Sequence, residues 1–192
     1  MSTIINGSSP SVTFSDGTTQ TTAFTSTPSV TALVNGGNTI TVPAVAGTMM
    51  VSGNMPAFSV YLSTSQSMTS ATNTKVQFNT KLYDTANCFD NTTNYRFTPN
   101  VAGYYQFNLK VQTGGTPGDF FCAVQKNGGT EVYRGIRGNT GLSCVTVSTI
   151  VYLNGSTDYV EGYVYQTATS INRNTISSGD QSWFNGALIR AA

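Results

Sequence analysis

Eight carboxylates, nine cationic side chains, three cysteines and no histidine are the reactive groups available to this 192-residue chain. Without an imidazole there is no Ser-His-Asp or Cys-His relay and no histidine-ligated zinc or haem. Cys88, Cys122 and Cys144 are odd in number and lack C-x-x-C spacing, so neither a zinc knuckle nor a disulfide framework is expected, and they read as small buried apolar residues. Glycoside cleavage needs two carboxyl groups facing each other across the bond. The candidates are Asp16, Asp84, Asp90, Asp119, Glu131, Asp158, Glu161 and Asp180, and only Asp158 and Glu161 are close in sequence. A spacing of three on a strand sends them to opposite faces, so the chain is not read as an enzyme. Asp84, Asp90 and Asn91 offer oxygens to a calcium ion, but no segment has EF-hand spacing. No cofactor is assigned, and calcium is left open.

The elements that must carry these groups follow from composition. Only 9% of the residues are charged, against about a quarter in an average soluble domain. Threonine (31), serine (20) and asparagine (17) supply most of the polar surface instead. All three are poor helix formers, which points to an all-β chain. The net charge of +1 neither neutralises a phosphate backbone nor binds acidic lipid, so nucleic acid and anionic membranes are not expected partners. No apolar stretch approaches the roughly 18 residues of a membrane span. The opening MSTIINGSSP has no basic n-region followed by an apolar run, so no signal peptide is expected and folding in a reducing cytosol is.

Periodicity of two supplies the strands. Thr74 to Leu82 alternates with Val76, Phe78, Thr80 and Leu82 on one face. Gly103 to Val111 groups Tyr105, Phe107, Leu109 and Val111. Leu142 to Leu153 and Asp158 to Tyr165 follow. Asn127-Gly128 and Asn154-Gly155 supply the positive φ values of tight hairpins between them. Strands at intervals of roughly ten residues suit a sandwich or jelly roll. Residues 1–55 differ, because Met1 to Thr27 holds only seven apolar residues. Such a segment is ordered by other chains or not at all. Within it SVTF, a Ser15-Asp16-Gly17 turn and a Thr-rich run to Phe24 carry strand signals. The expected division is an attachment or stalk segment over 1–55 and one sandwich domain over 56–192.

The second part resembles the complement C1q and tumour-necrosis-factor jelly-roll superfamily. The resemblance rests on Ala57-Phe58-Ser59-Val60, Val76-Gln77-Phe78-Asn79, and Tyr83-Asp84 to Phe89-Asp90. It continues with Tyr95, Phe97, Pro99 displaced by one, Gly103, Tyr105 and Phe107, then Lys126-Asn127, and closes with Phe184, Gly186 and Leu188. The phrase Val12 to Ala23 (VTFSDGTTQTTA) resembles one found in structural proteins of tailed bacteriophages near fibre and appendage heads. The resemblance implies a homotrimer. Apolar residues on both faces of several strands give a physical reason for one, since the second face needs a partner. Tyr105, Phe107, Tyr163 and Phe184 are the aromatics expected in the core or the trimer seam. The implied protein is a virion component assembled in the host cytoplasm, a tail fibre or appendage joined to other virion proteins through residues 1–55. Its head would touch a host surface glycan or protein. The loops open to a target are Cys88 to Asn94 with Asn91, Gly114 to Gly118, Tyr133 to Gly141 with Tyr133, Arg134 and Arg137, and Ser170 to Gly179. A head fibre or capsid decoration without a receptor, or a non-viral C1q-like lectin or scaffold, are the competing readings.

Overall fold

The computed structural model describes residues 4–5, 12–13, 15–20, 32–35, 38–41, 50, 55–113, 119–135, 138–139, 144–167, 170–171 and 181–192. The chain divides into two compact units, residues 1–46 and 47–192.

In the first unit, β1 (Ile4–Ile5), β2 (Val12–Thr13) and β3 (Thr19–Gln20) form an antiparallel sheet in that order. The β2–β3 hairpin turns where the sequence predicts, at Ser15 to Thr18. The Asp16 carboxylate accepts both the Thr18 amide (3.0 Å) and its hydroxyl (2.6 Å), and Gly17 takes φ +83°. A second hairpin pairs β4 (Ala32–Asn35) with β5 (Asn38–Thr41).

The second unit is an all-β sandwich. Its strands are β6 (Ala57–Tyr61), β7 (Gln66–Ser67), β8 (Thr74–Lys75), β9 (Thr80–Asp84), β10 (Phe89–Asp90), β11 (Arg96–Phe97) and β12 (Gly103–Gln112). They continue with β13 (Asp119–Lys126), β14 (Glu131–Arg134), β15 (Gly138–Asn139), β16 (Cys144–Leu153), β17 (Val160–Gln166), β18 (Ser170–Ile171) and β19 (Trp183–Ala191). One sheet runs β16-β12-β19-β6-β9. The other runs β10-β11-β17-β13-β14, with β8 on β17 and β15 on β13.

Inward-facing residues of both sheets fill the space between them, as a sandwich requires. On β12 the alternation is strict: Tyr105, Phe107, Leu109 and Val111 are fully buried while Tyr104 and Gln106 face out. Phe58 stacks on Phe97 (centroids 4.5 Å) and on Phe89 (5.1 Å), and meets Phe184 edge-on (5.1 Å, 78°). The motif aromatics Phe58, Phe78, Phe97, Tyr105, Phe107 and Phe184 are thus one cluster, and their spacing in the sequence is the spacing of the core. The Tyr105 hydroxyl is satisfied by the Val101 carbonyl at 2.7 Å.

Several expectations need correction. Thr74 to Leu82 is not one strand. Residue 75 pairs with Tyr163 in one sheet and Thr80 with Tyr61 in the other, so 76–79 crosses between the layers. Val76 and Phe78 are buried on the way, and Leu82, past a register shift on β9, faces out at 61% exposure. Asn154-Gly155 is not a hairpin either, because β16 and β17 lie in different sheets. Gly155 (φ +72°) lies so close to the Val101–Ala102 backbone that a Cβ would collide with it. Asn127-Gly128 does close a β13–β14 hairpin, with Lys126 opposite Glu131, but through four residues rather than two. Cys122 is buried as expected, whereas Cys88 and Cys144 are only partly so. Burial, with a smaller push from Cys144, drives the Cys122 thiol up to about 12, which makes it inert.

Candidate interaction surfaces

Six of the eight large apolar side chains exposed among the described residues sit on strands of the five-stranded sheet: Leu82 and Tyr83 of β9, Tyr104 of β12, Ile150 and Tyr152 of β16, and Ile189 of β19. Tyr104 and Tyr152 are register partners with ring centroids 5.5 Å apart. Across β16, β12 and β19 runs a neutral polar row. Ser148 donates to Asn108 Oδ1 (2.8 Å), and Asn108 Nδ2 donates to Asn185 Oδ1 (3.0 Å). A shallow hollow of about 200 Å³ lies there, lined in part by Tyr83, Asn185, Ala187 and Ile189. A sheet face with this many exposed aromatic and aliphatic groups has the character of a protein interface. Of the four aromatics expected in core or seam, Tyr105, Phe107 and Phe184 lie in the core, and Tyr163 is half-buried on the other sheet with its hydroxyl near Glu161 (3.4 Å).

The loop candidates are not one constellation. Tyr133 and Arg134 belong to strand β14, not to a loop. Alternation turns Tyr133 inward, partly buried against the core, and Arg134 outward over the Phe121 ring (5.2 Å). Arg137 lies outside the described residues, as do Gly114 to Gly118 and most of Ser170 to Gly179. Asn91 is described, and its side-chain amide donates to the Asn79 carbonyl at 2.8 Å, fastening the β10–β11 loop to the crossing segment.

The acidic residues near Asn91 act as turn anchors. Asp84 accepts from the Cys88 and Phe89 amides (2.9 Å each) and pairs with Lys81 (2.8 Å). Asp90 accepts from the Thr92, Thr93 and Asn94 amides (3.0, 2.9 and 3.0 Å) and from the Thr92 and Asn94 side chains. Those donors, Thr93 and Thr92 foremost, hold its carboxyl far below the usual carboxylate range. Both carboxylates are therefore engaged by their own loops. Asp158 and Glu161 do not form a pair: Asp158 precedes β17 and binds Lys126 (3.2 Å) and Asn127, while Glu161 is buried on β17 and binds Lys75 (2.9 Å).

Sequence reasoning passed over Arg96. It stands on β11 between Asp90 and Glu161 in register, and its guanidinium lies 4.2 Å from the centroid of the Tyr159 ring. Arg96 borders an open polar groove of about 410 Å³ together with Lys81, Asn87, Asn91, Asn94 and Thr98. Its signal in the sequence is an arginine beside a tyrosine in a chain with few charges, but Tyr159 comes next to it only through the sheet.

Comparison with known proteins agrees with this architecture. The C1q domain model matches residues 57–189. No curated protein matches the chain. Among solved structures, the globular domain of zebrafish complement 1qA protein is 21% identical with a TM-score of 0.53, covering 71% of this chain and 99% of that one. Murine APRIL is 9% identical with a TM-score of 0.55, covering 70% and 99%. PRD1 vertex protein P5 is 15% identical with a TM-score of 0.54, covering 70% and 97%. At these identities the structures share the fold and no more. With the family match extending across most of the chain, this protein belongs to the C1q domain family.

Proposed function

We propose that the chain is a homotrimeric structural protein of a tailed-bacteriophage virion, with residues 1–55 as the attachment or stalk segment and residues 56–192 as a head that adheres to the host surface. The observation that carries the trimer is the apolar outer face of the five-stranded sheet. Its two lateral edges carry different groups, Ile150 and Tyr152 on β16 and Leu82 and Tyr83 on β9, with Tyr104 and Ile189 on the strands between. A contact between unlike patches repeats head to tail and closes into a ring. The virion setting is supported by the Val12 to Ala23 phrase, whose hairpin is built as its sequence suggests, and by a vertex protein among the neighbours of the fold.

Adhesion then depends on three copies acting together. Weak contacts from linked heads combine through effective concentration, so no single deep site is needed. Gln112 of β12, Asp119 of β13, Cys144 of β16, Gln166 of β17 and Trp183 of β19 stand at strand ends opposite the end at which β6 begins. That arrangement suits a head entered from one side and presented to its target on the other. The decoration reading keeps the trimer and drops the receptor.

Light scattering on the purified protein tests the core of the reading: the expected mass is about three times the 20.3 kDa of one chain. The double variant Ile150→Asp with Tyr152→Asp is expected to give a single-chain mass with the β circular-dichroism signal retained, because both side chains face outward. A wild-type protein that runs as one chain at micromolar concentration overturns the proposal. Gold-labelled antibody on intact particles separates tail from shell. Pull-down of host cells by the isolated protein separates adhesion from decoration.

A further inference from the structure

We propose that the groove bordered by Arg96 binds an oxyanion-bearing saccharide, with the Arg96 guanidinium as its anion-binding group. The proposal deepens the adhesive reading and rests on it for the biological source of the sugar.

Four observations lead there. First, Arg96 is half-buried and fixed over the Tyr159 ring at 4.2 Å, yet its guanidinium makes no hydrogen bond or ion pair among the described residues. Five N–H donors in a rigid fork are left facing a cleft. Second, the neighbouring carboxylates are committed elsewhere. Asp90 receives donors from its own turn, and Glu161 is buried against Lys75. Lys81 is in turn neutralised by Asp84. Among the lining side chains Arg96 is therefore the cation without a hydrogen-bonded partner, beside a carboxylate held by its own turn. Third, most of the remaining lining is amide and hydroxyl, from Asn87, Asn91, Thr92, Asn94 and Thr98, which both donate and accept as sugar hydroxyls do, beside the Asp90 carboxylate, Cys88 and Phe89. The volume of about 410 Å³ falls within the roughly 300–1,000 Å³ of small-ligand clefts, but the lining is polar where a cleft for an apolar molecule would not be. Fourth, the residue before Arg96 is left-handed without being glycine: Tyr95 takes φ +51°. For a residue as bulky as tyrosine this conformation is strained, and such strain gathers where a side chain must be aimed.

A carboxylate or a phosphate on a pyranose meets these requirements equally well. Either can take two parallel N–H bonds from the guanidinium while its hydroxyls engage the amide rim. Galacturonate and glucose 6-phosphate represent the two sources, and glucose is the neutral control.

Titration of the full-length protein with each sugar, followed by the amide chemical shifts of residues 87–98, tests the site. Saturable shifts are expected for one or both acidic sugars, weakening as salt is raised, with glucose binding at least about tenfold more weakly. Arg96→Ala is expected to lower the affinity about ten- to hundredfold, and Arg96→Lys to lower it less, since the charge is kept but the fork is lost. Lys110→Ala, on the other sheet, serves as a control expected to change nothing. Which acidic sugar binds identifies the source of the anion. Acidic sugars that bind no better than glucose, or that bind Arg96→Ala and Arg96→Lys as tightly as the wild type, overturn the proposal. Host-cell pull-down with the same variants reports separately on adhesion: cells captured equally by wild type and Arg96→Ala leave the adhesive reading standing while the groove is discarded.

Discussion

At Asp90 a single side chain accepts five hydrogen bonds from three residues of its own turn. Its carboxylate is the common acceptor for the loop that joins β10 to β11, and the loop carries Asn91 against Asn79 and delivers Arg96 into the groove. Because its folded pKa lies below the unfolded value of about 3.9, its stabilising contribution is complete above about pH 4 and is lost as pH falls through the folded value. Asp90→Ala is expected to cost about 1 kcal/mol at pH 7, the scale of a lost cap, and thermal melts should show the gap to the wild type constant from pH 7 to 5 and narrowing below 4. A gap independent of pH down to 2 contradicts the assignment. This role was only partly visible beforehand. Asp90 and Asn91 were recognisable as polar loop residues, but they looked like ligands for an ion, because the sequence cannot reveal that the backbone amides of the same turn already occupy the carboxylate.

Strand β12 and its neighbour β19 show what was legible at the next level. The alternation Tyr105, Phe107, Leu109, Val111 names the core face without any structure, and Phe184-x-Gly186-x-Leu188 names the strand that packs beside it. Gly186 is there because the chain is tight: a Cβ would sit 2.5 Å from Phe107 Cδ1 and 2.9 Å from the Gln106 carbonyl. Gly186→Val is therefore expected to destabilise the head by about 1–3 kcal/mol, measurable as a lower urea midpoint with unchanged slope. A midpoint equal to the wild type contradicts the packing. The crossing at 76–79 was not legible for a physical reason. Val76 and Phe78 alternate as they would on a strand, and both point into the core, but the backbone leaves one sheet and joins the other between them. A pattern of side chains records which residues are inside, not which layer they hang from. Tyr133-Arg134 looked like the start of a loop because the mixed composition of an edge strand resembles that of a turn.

For the molecule as a whole, the sequence showed few charges and apolar residues on both faces of several strands, and from the second a need for partners. It did not reveal which sheet carries the open face, since that depends on strand pairing over long separations, as between Tyr104 and Tyr152. If three copies bury that face, folding and assembly are linked by mass action. The melting temperature is then expected to rise by several degrees over a hundredfold increase in protein concentration, and the Ile150→Asp, Tyr152→Asp variant to melt at a temperature that ignores concentration. The entry of the chain into the sandwich has a further consequence. Strand β6 starts at one end, lies between β19 and β9, and is bonded to both along its length. A pull on residue 57 against a grip at the far end loads those two ladders lengthwise, so that their bonds resist in unison instead of opening one after another. A sandwich loaded in this way resists extension with the same hydrogen bonds that define its fold.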